Sequence, residues 1–178
     1  MTSNKYKRII ILGAGGSGKT NLSKKIAKIH KIPLYHLDKE YWLSGWKRPN
    51  ESEWVEKLKG LVEKDAWVMD GNYIDTLDIR LEKADLVIML DIEKKICVRG
   101  IFFRTLKGLF IRRKDLSIGC KDSFNQEYHE LVSWAKSFKE KYYPQLMGKC
   151  KQYPNVEVKL FKKRKQAKKF IKRNFTDE

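Results

Sequence analysis

An apolar run, KRIIILG (Lys7–Gly13), ends in the octapeptide GAGGSGKT (Gly13–Thr20), half of which is glycine. That junction constrains the fold more than any other stretch of the chain. A short continuous apolar run ending at glycine reads as a strand buried on both faces, the kind used in parallel sheets. The segment after it carries Leu22, Ile26 and Ile29 at helical spacing, so the octapeptide is a strand-to-helix turn. Its residues fit the phosphate-binding pattern G-x-x-x-x-G-K-[ST]. Glycines let the backbone turn tightly, so several N–H groups point into one concavity. Gly13, Ala14, Gly15, Gly16, Ser17, Gly18 and Lys19 are therefore expected to cradle the phosphates of a nucleotide at the helix N-terminus. Lys19 is expected to reach the β/γ-phosphates, and the Thr20 hydroxyl to ligate Mg²⁺.

The rest of the chain fits a parallel sheet. IPLYHLD (Ile32–Asp38), AWVMDG (Ala66–Gly71), ADLVIMLD (Ala84–Asp91) and NVEVKLF (155–161) read as four more strands, with helical patterns between them. Asn50 and Ser123 are expected helix caps. Pro144 is expected to interrupt the helix it falls in, and Gly148 to end it. Strands alternating with helices give a three-layer α/β domain with a five-stranded parallel sheet, spanning residues 1–178. Ligands bind such sheets beyond the carboxyl ends of the strands, where Gly13, Asp38, Asp70 and Asp91 all fall.

Composition narrows the partners. The 178 residues carry 39 Lys+Arg against 22 Asp+Glu, a formal charge of +17. Two stretches free of acid, 94–114 with eight basic residues and 159–173 with nine, account for all of it. A localised basic excess points to a polyanionic ligand: nucleotide phosphates, a phosphorylated substrate or nucleic acid. Three widely spaced cysteines, Cys97, Cys120 and Cys150, form neither a disulfide framework nor a zinc ribbon, and a cytoplasmic location is expected. No apolar run approaches the ~20 residues that span a bilayer, the opening MTSNKYKR lacks a secretion-signal core, and no membrane partner is expected. No guanine-reading N-K-x-D segment and no helix-turn-helix or RNA-binding motif is present.

Asp38, at the expected end of the second strand, is followed by Tyr41, Trp42 and Trp46. A carboxylate beside aromatics suits an acceptor site: the carboxylate orients a hydroxyl and takes its proton while the rings stack. Asp91, after LVIML, resembles a Walker B ending and so is a second candidate to hold the metal; the favoured reading is the cap of the helix that begins at Ile92.

The segment VMDGNY (Val68–Tyr73) resembles the Asp-Gly segment of nucleoside monophosphate kinases. More broadly, ILGAGGSGKTNLSKKIA, HLDKEYWLSGW, WVMDGNYIDTLDIRLEKADLVIMLD, GCKDSFNQEYHELVSWAKSF and VKLFKKRKQAKKFI together resemble the adenylate-kinase-like P-loop proteins of the DNA topology modulation (FlaR-type) family. The resemblance covers nearly the whole chain. It implies a kinase core with ATP on the P-loop and a small helical lid at about residues 99–122. It also implies Mg²⁺ held through water by Asp70, with Gly71 and Asn72 meeting the acceptor. Arg99 or Arg104 would neutralise the transferring phosphoryl group, Arg112 and Arg113 would belong to the lid, and Lys163 and Arg164 would cover the adenine. Asn72-Tyr73-Ile74 departs from the nucleoside monophosphate kinases, which carry a proline and a phosphate-gripping arginine there. Arg80 is the candidate to replace that arginine. The function expected is phosphoryl transfer from ATP to a small-molecule acceptor. The rival class is a nucleic-acid-binding protein regulated by ATP, and non-specific binding through the basic tail leaves it open.

Overall fold

The computed structural model describes residues 5–111 and 113–175. Five strands, β1 (Arg8–Gly13), β2 (Leu34–His36), β3 (Trp67–Asp70), β4 (Leu86–Leu90) and β5 (Glu157–Phe161), form one parallel sheet in the order β2-β3-β1-β4-β5. β1 sits at the centre, and like its neighbours β3 and β4 it buries apolar side chains toward both layers of helices. Ile10 and Ile11 point to opposite faces, and both are fully buried. Truncating either to alanine would cost about 2–5 kcal/mol. Ile11 pairs with Asp70 of β3 and Gly13 with Leu90 of β4, so the three central strands finish on one rim.

The helices are α1 (Lys19–His30), α2 (Leu37–Tyr41), α3 (Glu51–Val62), α4 (Leu77–Leu81), α5 (Lys94–Gly108), α6 (Gln126–Ser137), α7 (Tyr143–Lys151) and α8 (Arg164–Phe175). They complete a three-layer α/β architecture. Asn50 caps α3 as its sequence predicts, its side chain accepting the Ser52 N–H at 2.9 Å. Among the described residues no helix is long and apolar enough to cross a membrane.

Several sequence expectations are corrected. β2 stops at His36, and Asp38 lies in the first turn of α2. Asn125, not Ser123, caps α6. Pro144 does break the long helical segment, since a π turn (Phe138–Tyr142) precedes it and α7 restarts around it. Proline suits a first helical turn, where its missing N–H is no loss. Gly148 does not end that helix, which runs on to Lys151. Asp91 is not a cap either: Glu93 is the N-cap of α5, and Asp91 accepts a bond from Lys139.

Candidate active site

The octapeptide wraps the N-terminus of α1. Gly13, Gly16 and Gly18 have φ of 146°, 72° and 105°, a region that side chains disfavour. Gly16 is further constrained from outside, because a Cβ there would lie 2.1 Å from the Cys97 carbonyl oxygen of α5. The Ser17 N–H donates to the Ala14 carbonyl at 3.2 Å and closes the turn. The Ser17 hydroxyl is buried with no hydrogen-bond partner, an orphan that a phosphate oxygen would satisfy. The first turn of α1 contains no acid to compete for that place. Cradle, orphan donor and helix N-terminus all fit an anion.

Four charged groups converge beside the cradle. The Lys19 ammonium donates to the Gly13 carbonyl at 2.8 Å and to the Ala14 carbonyl at 3.0 Å. Burial pushes its pKa down, Asp38 and Asp70 pull it back up, and Arg104 lowers it again. Lys19, Asp38, Asp70 and Arg104 therefore share one electrostatic neighbourhood. Burial and Arg113 lower the Arg104 guanidinium, while Asp122 and Asp38 oppose them. Arg99, the other candidate for that charge-neutralising role, lies on the same helix but points elsewhere. It is exposed, its guanidinium 5.6 Å from the Phe103 ring, because residue 99 lies on the opposite face of α5 from residues 97, 100 and 104.

Asp70 is buried at the end of β3. It accepts a bond from Ser23 of α1, and His36 Nδ1 lies 3.0 Å from both its oxygens. The Ser23 hydroxyl also lies 3.0 Å from the Thr20 carbonyl, which ties Asp70 to the helical turn carrying Thr20. Among the described residues no group of three or more His, Cys, Asp or Glu is placed to hold a metal unaided. A cation here would have to complete its shell with phosphate and water oxygens, as Mg²⁺ characteristically does.

Asp38 is exposed and held by a residue that the sequence did not single out as a ligand-site group. Tyr73 donates its hydroxyl to Asp38 Oδ1 at 3.0 Å. Burial first, then the Asp38 charge, pushes that phenol well above its ordinary pKa, so it stays a donor. Tyr73 adopts φ 35° and Trp46 φ 60°, uncommon values for bulky residues. The rings of Tyr41, Trp54 and Tyr73 pack within 4.8–5.5 Å of one another. Trp42 and Trp46 extend the cluster outward.

Arg80, Asn72 and Gly71 are engaged with backbone. Arg80 is fully buried and donates to the carbonyls of Gly71, Asn72 and Tyr73. It shapes the loop after β3, and that leaves it no donor exposed for an acceptor phosphate. Asn72 exchanges two hydrogen bonds with Gly13 and so props the cradle. Gly71 has φ 138°, and a Cβ there would lie 2.8 Å from the Leu37 Cβ.

Residues 113–122, in the segment expected to form a lid, bridge α1 and the loop after α2. Arg113 binds both Asp115 and Asp122, and Arg104 reaches Asp122 at 4.0 Å. Asp115 lies 3.9 Å from Lys24 of α1. On the far side Ser117 donates to the Lys39 carbonyl at 2.7 Å and Cys120 to the Leu43 carbonyl at 3.4 Å, against the loop carrying Trp42 and Trp46. Arg112 lies outside the described residues. Arg164, at the start of α8, donates to the carbonyls of Ser17 (2.9 Å) and Gly16 and clasps the cradle from behind. Lys163 beside it is exposed, its N–H donating to Gln166 Oε1 at 3.0 Å.

No family model matches the chain, and comparison with curated proteins finds no match in sequence. Solved structures do match. A shikimate kinase from Bacteroides thetaiotaomicron superposes with a TM-score of 0.55 at 19% identity, over 94% of this chain and 95% of that one. A shikimate kinase from Acinetobacter baumannii, solved in complex with shikimate, gives 0.54 at 12% identity, over 95% and 93%. The chain thus shares the three-layer α/β fold of these two structures along nearly its whole length.

Proposed function

We propose that this protein is a kinase that transfers a phosphoryl group from ATP to a hydroxyl of a small, ring-bearing acceptor. One observation carries the reading: Lys19, Asp38, Asp70 and Arg104 share one neighbourhood beside a glycine cradle with an orphan donor. ATP would supply the phosphoryl group, and Mg²⁺ would offset its charge. The N–H groups of residues 13–18 would hold phosphate oxygens, and Lys19 would turn to them from the Gly13 and Ala14 carbonyls. Thr20 and Asp70 would hold the cation, and Lys163 and Arg164 would flank the adenine. Asp38, steadied by Tyr73, would orient the acceptor hydroxyl and take its proton. Arg104 would neutralise charge developing on the transferred group.

Tyr41, Trp42 and Trp46 would form the acceptor's walls. With Arg80 bound to backbone, the arginine expected to grip an acceptor phosphate is spoken for, which favours a neutral or singly charged ring over a nucleotide. The finer likeness to FlaR-type proteins rests on sequence motifs. The buried, unpaired thiols of Cys97, Cys120 and Cys150 support a reducing compartment.

The test is a screen for ADP release from ATP and Mg²⁺, stimulated by cyclic polyols, hydroxylated ring acids including shikimate, and nucleosides. A stimulating acceptor is expected. Lys19→Ala should abolish transfer, and Asp38→Asn should remove stimulation while ATP still binds. Full transfer by Lys19→Ala, or ATP binding with no acceptor among these classes, would defeat the kinase reading.

A further inference from the structure

Helix α5 has two faces with different occupants. Its inner face, with Cys97, Gly100, Ile101 and Arg104, meets the cradle and the lid. Its outer face carries Ile96, Phe103 and Leu106 at helical spacing, and Phe110 extends the line into the following turn. Phe103 is 54% exposed and Phe110 83%. Phe102 and Leu109 widen the stripe, both also more than 40% exposed. Single exposed apolar residues are ordinary, but six along one edge form a patch of the kind that marks an interaction surface.

The charge around the stripe says what it meets. A groove of about 800 Å³ runs between α5 and α6. Its charged lining residues are Lys94, Lys95, Arg99 and Lys136, all cations. Its floor is Val98, Phe102, Phe103 and Tyr128. The whole segment 94–114 contains no acid. A second copy of this chain would bring cations against cations. A single-stranded nucleic acid would want flat, accessible rings, but Phe102 and Phe103 stand edge to face at 77° and Ile96, Leu106 and Leu109 offer no stacking plane. Apolar side chains with a basic flank and no acid match a surface that is itself apolar beneath an anionic layer.

We propose that the outer face of α5, together with the α5–α6 groove, docks on an anionic lipid bilayer. Phe103, Leu106 and Phe110 enter the acyl boundary, and Lys94, Lys95 and Lys136 meet lipid phosphates. α5 is too short and too charged to span; it lies on the surface instead, which departs from the expectation of no membrane partner, since a missing spanning run bears only on spanning. This proposal stands apart from the phosphoryl-transfer reading, since none of these residues touches the cradle.

The test is sedimentation of the full chain with vesicles of phosphatidylcholine alone, or with about one part phosphatidylserine to two of phosphatidylcholine. Binding is expected only with phosphatidylserine, weakened but not abolished by salt. Phe103→Ser with Phe110→Ser should lower it about tenfold or more, because the lost area is apolar. Lys95→Glu with Lys136→Glu should lower it similarly at low salt. Both pairs lie on the surface, so each variant should keep the wild-type melting temperature and nucleotide binding. Equal binding to both vesicles, or undiminished binding by either variant, overturns the proposal. So does preference for a single-stranded oligonucleotide, or a dimer that dissociates on Phe103→Ser.

Discussion

The side chain of Asn72 and the peptide of Gly13 bond twice: the Gly13 N–H donates to Asn72 Oδ1 at 3.0 Å, and Asn72 Nδ2 donates to the Gly13 carbonyl at 2.9 Å. A side chain thereby imitates the next residue of β3 and carries the β1–β3 ladder one step into the cradle. Lys19 donates to that same carbonyl. Asn72→Ala should therefore loosen Gly13 while leaving the sheet intact. We expect a loss of about 1–3 kcal/mol, the cost of leaving a partly buried peptide unpaired. ATP affinity should fall as well, because an ordered cradle is part of the site. Thermal melting and nucleotide titration measure the two effects. Wild-type affinity in Asn72→Ala would show that the cradle holds its shape without this prop.

Gly100 and Gly60 make opposite predictions from the same substitution. Both sit inside helices, where glycine costs about 1 kcal/mol relative to alanine. At Gly60, in α3, a Cβ would meet nothing within 4 Å, so Gly60→Ala should stabilise by about 1 kcal/mol. At Gly100, in α5, a Cβ would lie 2.6 Å from the Gly16 carbonyl oxygen. Backbone must then move, and overpacking of about 1–3 kcal/mol outweighs the helical gain. Gly100→Ala should melt lower and bind nucleotide more weakly, since the displaced atom belongs to the cradle. Calorimetry of the two variants decides it, and stabilisation by Gly100→Ala would show that α5 shifts freely.

The sequence made the sheet and the cradle legible because both are local. Apolar runs ending at Gly13, Asp70 and Asp91 predict strands, and the octapeptide predicts its own turn. What escaped was long-range. Nothing near Tyr73 says that it reaches Asp38, 35 residues earlier. Ser23 and His36 bracket Asp70 only once β2, β3 and α1 are assembled. Gly100 is a lone glycine in a helical pattern until α5 lies on Gly16. Arg80 was a candidate for binding because charge is visible in sequence while burial is not. Arg99 and Arg104 differ by five residues, enough to put them on different sides of one helix.

That difference predicts their kinetics. Arg104 lies within the neighbourhood of Lys19 and Asp38, whereas Arg99 faces outward. If Arg104 neutralises the transferring group, Arg104→Ala should lower turnover by about a hundredfold or more, with little change in melting temperature. Arg99→Ala should leave turnover within about twofold, as expected for a charge outside the site. Steady-state rates at saturating ATP measure both. A large loss in Arg99→Ala with Arg104→Ala near wild type would mean that α5 turns during the catalytic cycle.

The lid carries a prediction about pH. Asp115 is buried, which by itself would raise its carboxyl pKa. Hydrogen bonds and charge from Arg113, with Lys24 beyond, outweigh that and hold it below the usual range. A carboxyl depressed in the folded state stabilises that state fully above its unfolded value, about 3.9. The contribution is lost as pH falls through the lower folded value. The lid should therefore stay closed at a pH of about 5 and open progressively below about 4. Amide exchange reads this at Cys120, whose N–H donates to the Ser117 carbonyl at 3.2 Å, in the turn that the Ser117–Lys39 and Cys120–Leu43 side-chain bonds hold against the rim. Asp115→Asn keeps the shape and removes the charge, so its lid should exchange faster at neutral pH and change little on acidification. Coincident acid profiles in the two proteins would show that Asp115 is not the titrating group.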